Sequence, residues 1–432
     1  MKKAVFAFAA VCMLLISGCR PDSIEAFGGQ MPVNSIKPTD TVAFAVPTSA
    51  PEPAPTPMPA PIEINIMAAG DIMFQYHAIL SAYDKQTKCY DFRYSFEHVK
   101  YILESADVAV GNFECTLGGA PYSQRAKLRF SAPDEAAEAV KYAGFDVVST
   151  INNHSYDKGL NGLLSTLAAL REAGLVCTGT RADAEEKRYH ILDVEGIKIG
   201  FAAYTFAARP RGGISIHGYR LEKEAEELVN VFEESGPDDD LREMGRLARQ
   251  MREDGAEIVV FSVHWGTEYR RKPNSTQKKI AGSLADAGVD IILGSHPHWL
   301  QTVDVLKNGE TGGKTIVAYS LGNFISNQRK RFKTYFKYSE DCMILSIGVT
   351  KRPGEAAKIT SVKYIPTWTY MYVKNGCRYY TVVPLEKAVT NPEYYGMGRG
   401  RDLRDAKQSL KNTRELMAAP VSKGVIEQMA LE

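Results

Sequence analysis

From about residue 62 onward the chain alternates short apolar runs with amphipathic stretches. Apolar runs bounded by Gly, Asp, Asn or Ser read as buried strands, here at 63–69, 107–111, 145–150, 189–194, 198–204, 257–263, 289–293 and 315–319. Between them lie helical spacings. Leu160, Leu163, Leu164, Leu167 and Leu170 fall on one face of a helix, and similar patterns predict helices at 95–104, 133–142, 221–233, 241–254 and 275–287. Strand–helix alternation predicts an α/β domain over 63–330 with helices on the sheet faces. Residues 331–432 read as strands at 342–349, 359–365 and 379–385 and a helix at 401–417, an extension completing or flanking the sheet. No chemistry is assigned to it.

The N-terminus breaks the pattern. Lys2-Lys3, an apolar run over 4–16 and Ser17-Gly18-Cys19 make a secretory signal over 1–18. Ile16-Ser-Gly-Cys19 resembles a bacterial lipobox, which implies lipid attachment at Cys19, export, and a place on the outer face of the cytoplasmic membrane. Residues 19–62 read as a tether, with proline alternating with small residues over 51–61. In polyproline II the stretch 32–61 would reach about 90 Å. The 432 residues carry 52 basic and 51 acidic side chains, so no global field favours nucleic acid. Beyond Cys12 and Cys19, five cysteines at scattered spacings indicate neither a disulfide framework nor a cysteine metal site.

The chemistry sits where the strands end. Gly70-Asp71, Gly111-Asn-Phe-Glu114, Asn152-Asn153-His154, His264-Trp-Gly266, Gly294-Ser-His-Pro-His298 and Ser320-Leu-Gly-Asn323 each close a predicted strand. Asp, Glu, Asn and His together form the mixed O/N donor set that suits Zn, Mn or Fe(II). Pro297 disfavours helix at His296, so His296 and His298 are expected in extended backbone, projecting to one side. Each ending also has a plainer reading. Asp71 could cap a helix, Asn152-Asn153 could form a turn, and His264 could be a core imidazole. Asn112 competes with Glu114 as the ligand, while Ser320 to Asn323 reads as support. His77, His98, His190 and His217 belong to no constellation and read as surface residues.

These motifs, with His264-Trp-Gly-Thr-Glu-Tyr269, Gly294-Ser-His-Pro-His-Trp-Leu-Gln301 and Tyr319-Ser-Leu-Gly-Asn-Phe324, resemble the CapA (PgsA-type) poly-γ-glutamate capsule proteins. That family is similar to calcineurin-like metallophosphoesterases. The resemblance implies a four-layer α/β/β/α sandwich and a centre for one or two divalent ions, Mn, Zn or Fe. Carried over residue by residue, it implies Asp71 and His298 at a first metal and Glu114 as the bridge. Asn153, His264 and His296 would hold a second metal, and His154 would be the general acid. Phosphoesterases place a histidine where this chain has Met73, a poor ligand for hard ions; His77 and Gln75 are the nearby candidates to replace it. The implied role is synthesis, export or anchoring of poly-γ-glutamate or a similar anionic polymer, with membrane synthase components as partners. The competing classes are a two-metal phosphoesterase and a non-catalytic scaffold. Arg125, Lys127 and Arg129 alternate on one face of an extended segment, and Arg125 and Arg129 are the expected substrate contacts. Arg209 with Arg211, and Arg270 to Lys272, are further basic clusters.

Overall fold

A computed structural model describes residues 59–118, 130–234 and 238–431. Contacts divide the chain into Met1–Pro57 and Met58–Glu432, and the second unit is the one described. The signal sequence, Cys19, almost all of the tether, and Arg125, Lys127 and Arg129 lie outside the described residues.

Two sheets form the centre. The first is built on Ile62–Ile72, which runs parallel to Val108–Phe113 and antiparallel to Asp341–Lys351. Val147–Ser149 and Val176–Thr178 continue it on one side, Lys358–Lys374 and Cys377–Pro384 on the other. The second sheet runs Val231–Phe232, Ile197–Phe206, Ile258–His264, Ile291–Ser295, Lys314–Ala318 and Val303–Lys307. From Val231–Phe232 to Lys314–Ala318 its neighbours pair in parallel.

Side-chain alternation builds the layers. From Ile62–Ile72, Ile64, Ile66 and Ala68 face inward and meet Ile258, Val260, Ile291 and Leu293 of the second sheet. The alternate residues Met67 and Ala69 face out, into a core shared with the helix Glu135–Tyr142 and with Leu167 and Leu170 of Gly159–Glu172. Val259, Phe261 and Val263 likewise pack on Met244 and Met251 of Asp239–Glu253 and on Ile280 and Leu284 of Ser275–Asp286. The result is a four-layer α/β/β/α sandwich. Central strands buried on both faces read as continuous apolar runs, which is why they were legible.

Two expected helices differ. Over 221–233 only Lys223–Glu226 is helical, and Val231–Phe232 pairs with Ile197–Phe206. Phe232 is fully buried there, so tertiary packing overrides the helical spacing. Over 95–104 the helix is reduced to Lys100–Leu103, preceded by a 3-10 turn, Arg93–Ser95. Cys89, Cys115, Cys177, Cys342 and Cys377 are free thiols. Among the described residues no helix is long and apolar enough to cross a membrane.

Candidate metal centre

The parallel strands of both sheets end at one edge of the sandwich, where loops can gather polar groups. Asp71 lies near the end of its strand, level with Asn112 and Asn323 of the flanking strands. Its N–H donates to the Gly322 carbonyl at 2.9 Å. That approach needs glycine at residue 70, since a Cβ there would lie 1.9 Å from the Gly322 oxygen. Gly294 is similarly confined, since a Cβ there would lie 2.1 Å from the Tyr319 oxygen, and its absence lets the strand before the two histidines close on its neighbour.

Asp71, Glu114 and His298 converge, each offering a donor atom within 4.8 Å of the others, and all three are buried. Asn112 Nδ2 donates to Asp71 Oδ1 at 2.9 Å and to Glu114 Oε2 at 3.2 Å, so Asn112 braces both carboxylates. His298 Nδ1 lies 3.1 Å from Asp71 Oδ2 and 3.0 Å from Asn323 Oδ1, with Nε2 3.7 Å from Glu114 Oε1. Burial, then the charges of Asp71 and Glu268, hold the Glu114 carboxyl well above its ordinary value. Burial opposes the charged form of His298, but the hydrogen bond and charge of Asp71, with Glu268 and Asn323, raise its pKa. Glu114 Oε1 is buried without a hydrogen-bond partner. Such an atom costs about 1–3 kcal/mol if nothing satisfies it.

A second group lies alongside. Asn153 Oδ1 is 3.0 Å from His264 Nε2, and Ser295 Oγ is 2.8 Å from His264 Nδ1. The His296 ring is 4.8 Å from that of His264 and 6.0 Å from that of His298. Burial and neighbouring imidazoles hold His264 and His296 well below the ordinary histidine value, which keeps their lone pairs free of protons. His296 Nδ1 is buried and unpartnered. Two buried carboxylates, neutral imidazoles, an amide oxygen and two orphaned donor atoms fit a divalent cation.

The backbone here departs from the expected extended form. The strand stops at Ser295, and His296 (φ 92°) and His298 (φ 55°) adopt left-handed conformations in the loop beyond. Proline disfavours right-handed helix before it, and the chain satisfies that by turning left. Tyr269 and His217 also have positive φ. Non-glycine residues in this region cost of order 1–3 kcal/mol each and cluster at functional sites.

His154 Nδ1 sits 2.8 Å from Asp157 Oδ2, which also accepts from the Phe130 N–H, and the Phe130 ring stacks on the imidazole at 4.0 Å. Asp157 thereby fixes the ring's orientation. Asn152, buried beside it, ties the two strand ends together by donating to the Phe113 carbonyl at 2.8 Å. His217 is exposed, as the sequence reading has it, but it does not stand apart from the constellation. It belongs to the site, its ring 5.0 Å from His154 and its Nδ1 3.5 Å from Asn153 Nδ2. A two-strand hairpin, Ser215–Ile216 with Tyr219–Arg220, delivers it, and nothing in its local sequence marks that. Glu268, half-buried, was also missed; its charge acts on Glu114 and His298.

Met73 is fully buried, and the two candidates to act in its stead are engaged elsewhere. His77 faces Arg378, and Gln75 accepts from the Asn327 N–H. Arg209 is paired with Asp240, and Arg211 is exposed. Arg271 donates to the Asn412 carbonyl and lies 4.2 Å over the Tyr338 ring.

The family described as "Bacterial capsule synthesis protein PGA_cap" matches residues 65–328. A Bacillus anthracis protein named "Capsule biosynthesis protein CapA" is 33% identical over 62% of this chain and 60% of its own length. "PGA biosynthesis protein CapA" of Bacillus subtilis is 30% identical over 54% and 57%. The chain therefore spans less than two thirds of these relatives. NAD nucleotidase (NadN) of Haemophilus influenzae superposes with a TM-score of 0.43 at 14% identity, covering 84% of this chain and 68% of that one, too loose a likeness to argue from.

Proposed function

The chain belongs to the bacterial capsule synthesis (PGA_cap) family, and on that premise we propose that it acts in the synthesis, export or anchoring of poly-γ-glutamate or a similar anionic capsule polymer. The supporting observation is the convergence of Asp71, Glu114 and His298 from both sheets, with a buried carboxylate oxygen left without a partner. We place one or two ions of Mn, Zn or Fe there. The first would be held by Asp71, Glu114 and His298, the second by Asn153, His264 and His296 with Glu114 between them. A cation so bound supplies Lewis acidity toward an acyl or phosphoryl oxygen. The chain's own residues do the rest. Asn112 fixes both carboxylates, Ser295 orients His264, and Asp157 holds His154 so that its ring can pass a proton to a leaving oxygen. His217, on the rim beside His154, contacts what enters.

The same reading places the head outside the cell. The lipobox at Cys19 and the proline tether support a lipid-anchored protein on the outer face of the cytoplasmic membrane, beside the membrane components of a polymer synthase. One observation favours a second reading, a phosphodiester hydrolase: the buried His154–Asp157 pair is the arrangement an acid–base catalyst needs.

The test is complementation of a capsule-forming host deleted for its own homologue. Wild type is expected to restore surface polyglutamate, and Asn153→Ala and His154→Ala, at equal abundance, are not. Restoration by both variants makes the protein a scaffold. Unchanged polyglutamate alongside phosphodiester turnover by the purified protein selects the hydrolase.

A further inference from the structure

The loop between the strands Asn323–Ile325 and Asp341–Lys351 carries Arg329, Lys330, Arg331, Lys333 and Lys337. It runs as a strap from the metal centre to the helix Arg401–Ser422. At the near end the rings of Tyr335 and Phe336 each lie 5.5 Å from Tyr269, whose ring is 5.9 Å from His298. At the far end Arg329, Lys330, Arg331 and Lys337 join Arg401 around a cavity of about 220 Å³. Arg271, reaching in behind the His264 motif, lies over Tyr338 of the same strap.

The cavity's acids are largely engaged. Glu340 pairs with Arg329 at 3.1 Å and accepts from Trp368 Nε1 at 3.1 Å. Asp405 faces Arg401 at 3.5 Å, and Asp402 accepts from the Tyr370 hydroxyl at 3.2 Å. Asp341 accepts from Ser409 Oγ at 2.6 Å and Asn412 Nδ2 at 3.0 Å. Burial pushes the Asp341 carboxyl up to about 7, weakening its claim on any cation.

The cations are less well served. Among the described residues, Lys330, Arg331 and Lys337 have no carboxylate within ion-pair distance. Arg331 donates to the thioether of Met371, a weak acceptor, and its buried Nε has no partner. Arg329 is buried, packed over Trp368 and held by Glu340 and the Thr369 carbonyl, with only its Nε left unpartnered. Guanidinium groups in this condition gain charge-assisted hydrogen bonds from an incoming anion, and their planar fork matches a carboxylate.

We infer that the strap 329–338 and the first turns of the helix Arg401–Ser422 form a carboxylate subsite that holds a polycarboxylate chain while a neighbouring segment of that chain lies at the metal centre. This rests on the proposed polymer and identifies the groups that grip it. The four acids in the same walls temper the positive field. That favours a ligand presenting single charges at intervals over a densely charged polyphosphate.

The test is fluorescence anisotropy of the full chain with end-labelled poly-γ-glutamate at low and at high salt, with polyphosphate as a competitor. Lys330→Gln/Arg331→Gln is expected to weaken binding by about tenfold or more, equivalent to about 1.4 kcal/mol, with the difference shrinking at high salt. Its metal content should match wild type, and Arg352→Gln, an exposed cation outside the strap, should bind as wild type does. Equal affinity of the double variant and wild type overturns the subsite while leaving the polymer reading intact. Wild type that binds no polyglutamate overturns both. Displacement by polyphosphate at lower concentration than by unlabelled polyglutamate overturns the carboxylate assignment.

Discussion

Glu114→Gln separates the two things that Glu114 does. In metal-free protein its carboxyl is buried between Asp71 and His298 with Oε1 unpartnered. The neutral amide keeps the shape and removes the like-charge pair with Asp71. Relief of a buried, unsatisfied charged group is worth about 1–3 kcal/mol. At about 2.1 cal/mol/K per residue over roughly 370 residues, the unfolding entropy is about 0.8 kcal/mol/K, so the variant should melt about 1–4 °C higher in EDTA. Metal reverses the order. At a concentration 100-fold above its Kd, a cation bound only to the native state adds about 2.7 kcal/mol, or about 3 °C, to wild type. The variant, lacking one donor, should gain far less. The pH dependence follows from the same group. Its folded pKa is raised above the ordinary 4.5, so the folded state holds the proton more tightly. Metal-free wild type therefore loses stability as pH rises from about 4.5 through the folded value. Glu114→Gln removes that contribution and leaves those of the other groups, among them His298 and Asp341, which run in the same direction. The assay is thermal melting from pH 5 to 8, with EDTA and with Mn or Zn. A variant that melts below wild type in EDTA at pH 8, or gains as much from metal, refutes the reasoning.

Three further outcomes follow from the geometry. His154→Ala should lower any metal-dependent cleavage of a chromogenic phosphodiester by about 10²–10⁴-fold, with metal content retained; equal rates would remove His154 from the chemistry. Gly70→Ala places a methyl 1.9 Å from the Gly322 oxygen and should lower the urea midpoint, by about 1–3 kcal/mol of stability or more; an unchanged midpoint would show that the strand ends can part. Asp341, its carboxyl pushed up to about 7, holds its proton more tightly folded than unfolded, so stability should fall as pH rises from its ordinary 3.8 through about 7. Asp341→Asn should flatten that fall in urea titrations across the range, and an undiminished slope would assign it to another group.

The sandwich was legible because its central strands are apolar on both faces and stop abruptly at glycine or a polar residue. Strand ends in parallel sheets share an edge, so six scattered motifs could be read as one site before any distance was known. What escaped was carried by loops. His217 reaches His154 only because a short hairpin turns it there with φ at 51°. The left-handed turns at His296 and His298 were hidden for a related reason, since the rule for residues before proline excludes one conformation without choosing among the others. Helical spacing misplaces Val231–Phe232, because a burial partner distant in sequence decides its form. The cations of 329–337 gave no signal either, because a basic run usually marks a solvated face, and only the packing of Arg329 and Arg331 against Trp368 and Met371 shows otherwise.

The most direct test of the metal centre is elemental analysis of the purified full chain, reconstituted with Mn, Fe or Zn and dialysed, beside Glu114→Gln and His298→Ala. The account predicts at least one equivalent of a divalent metal per wild-type chain and a clear deficit in both variants at unchanged secondary structure. A folded wild-type chain that retains no metal, or variants that retain as much as wild type, would contradict it.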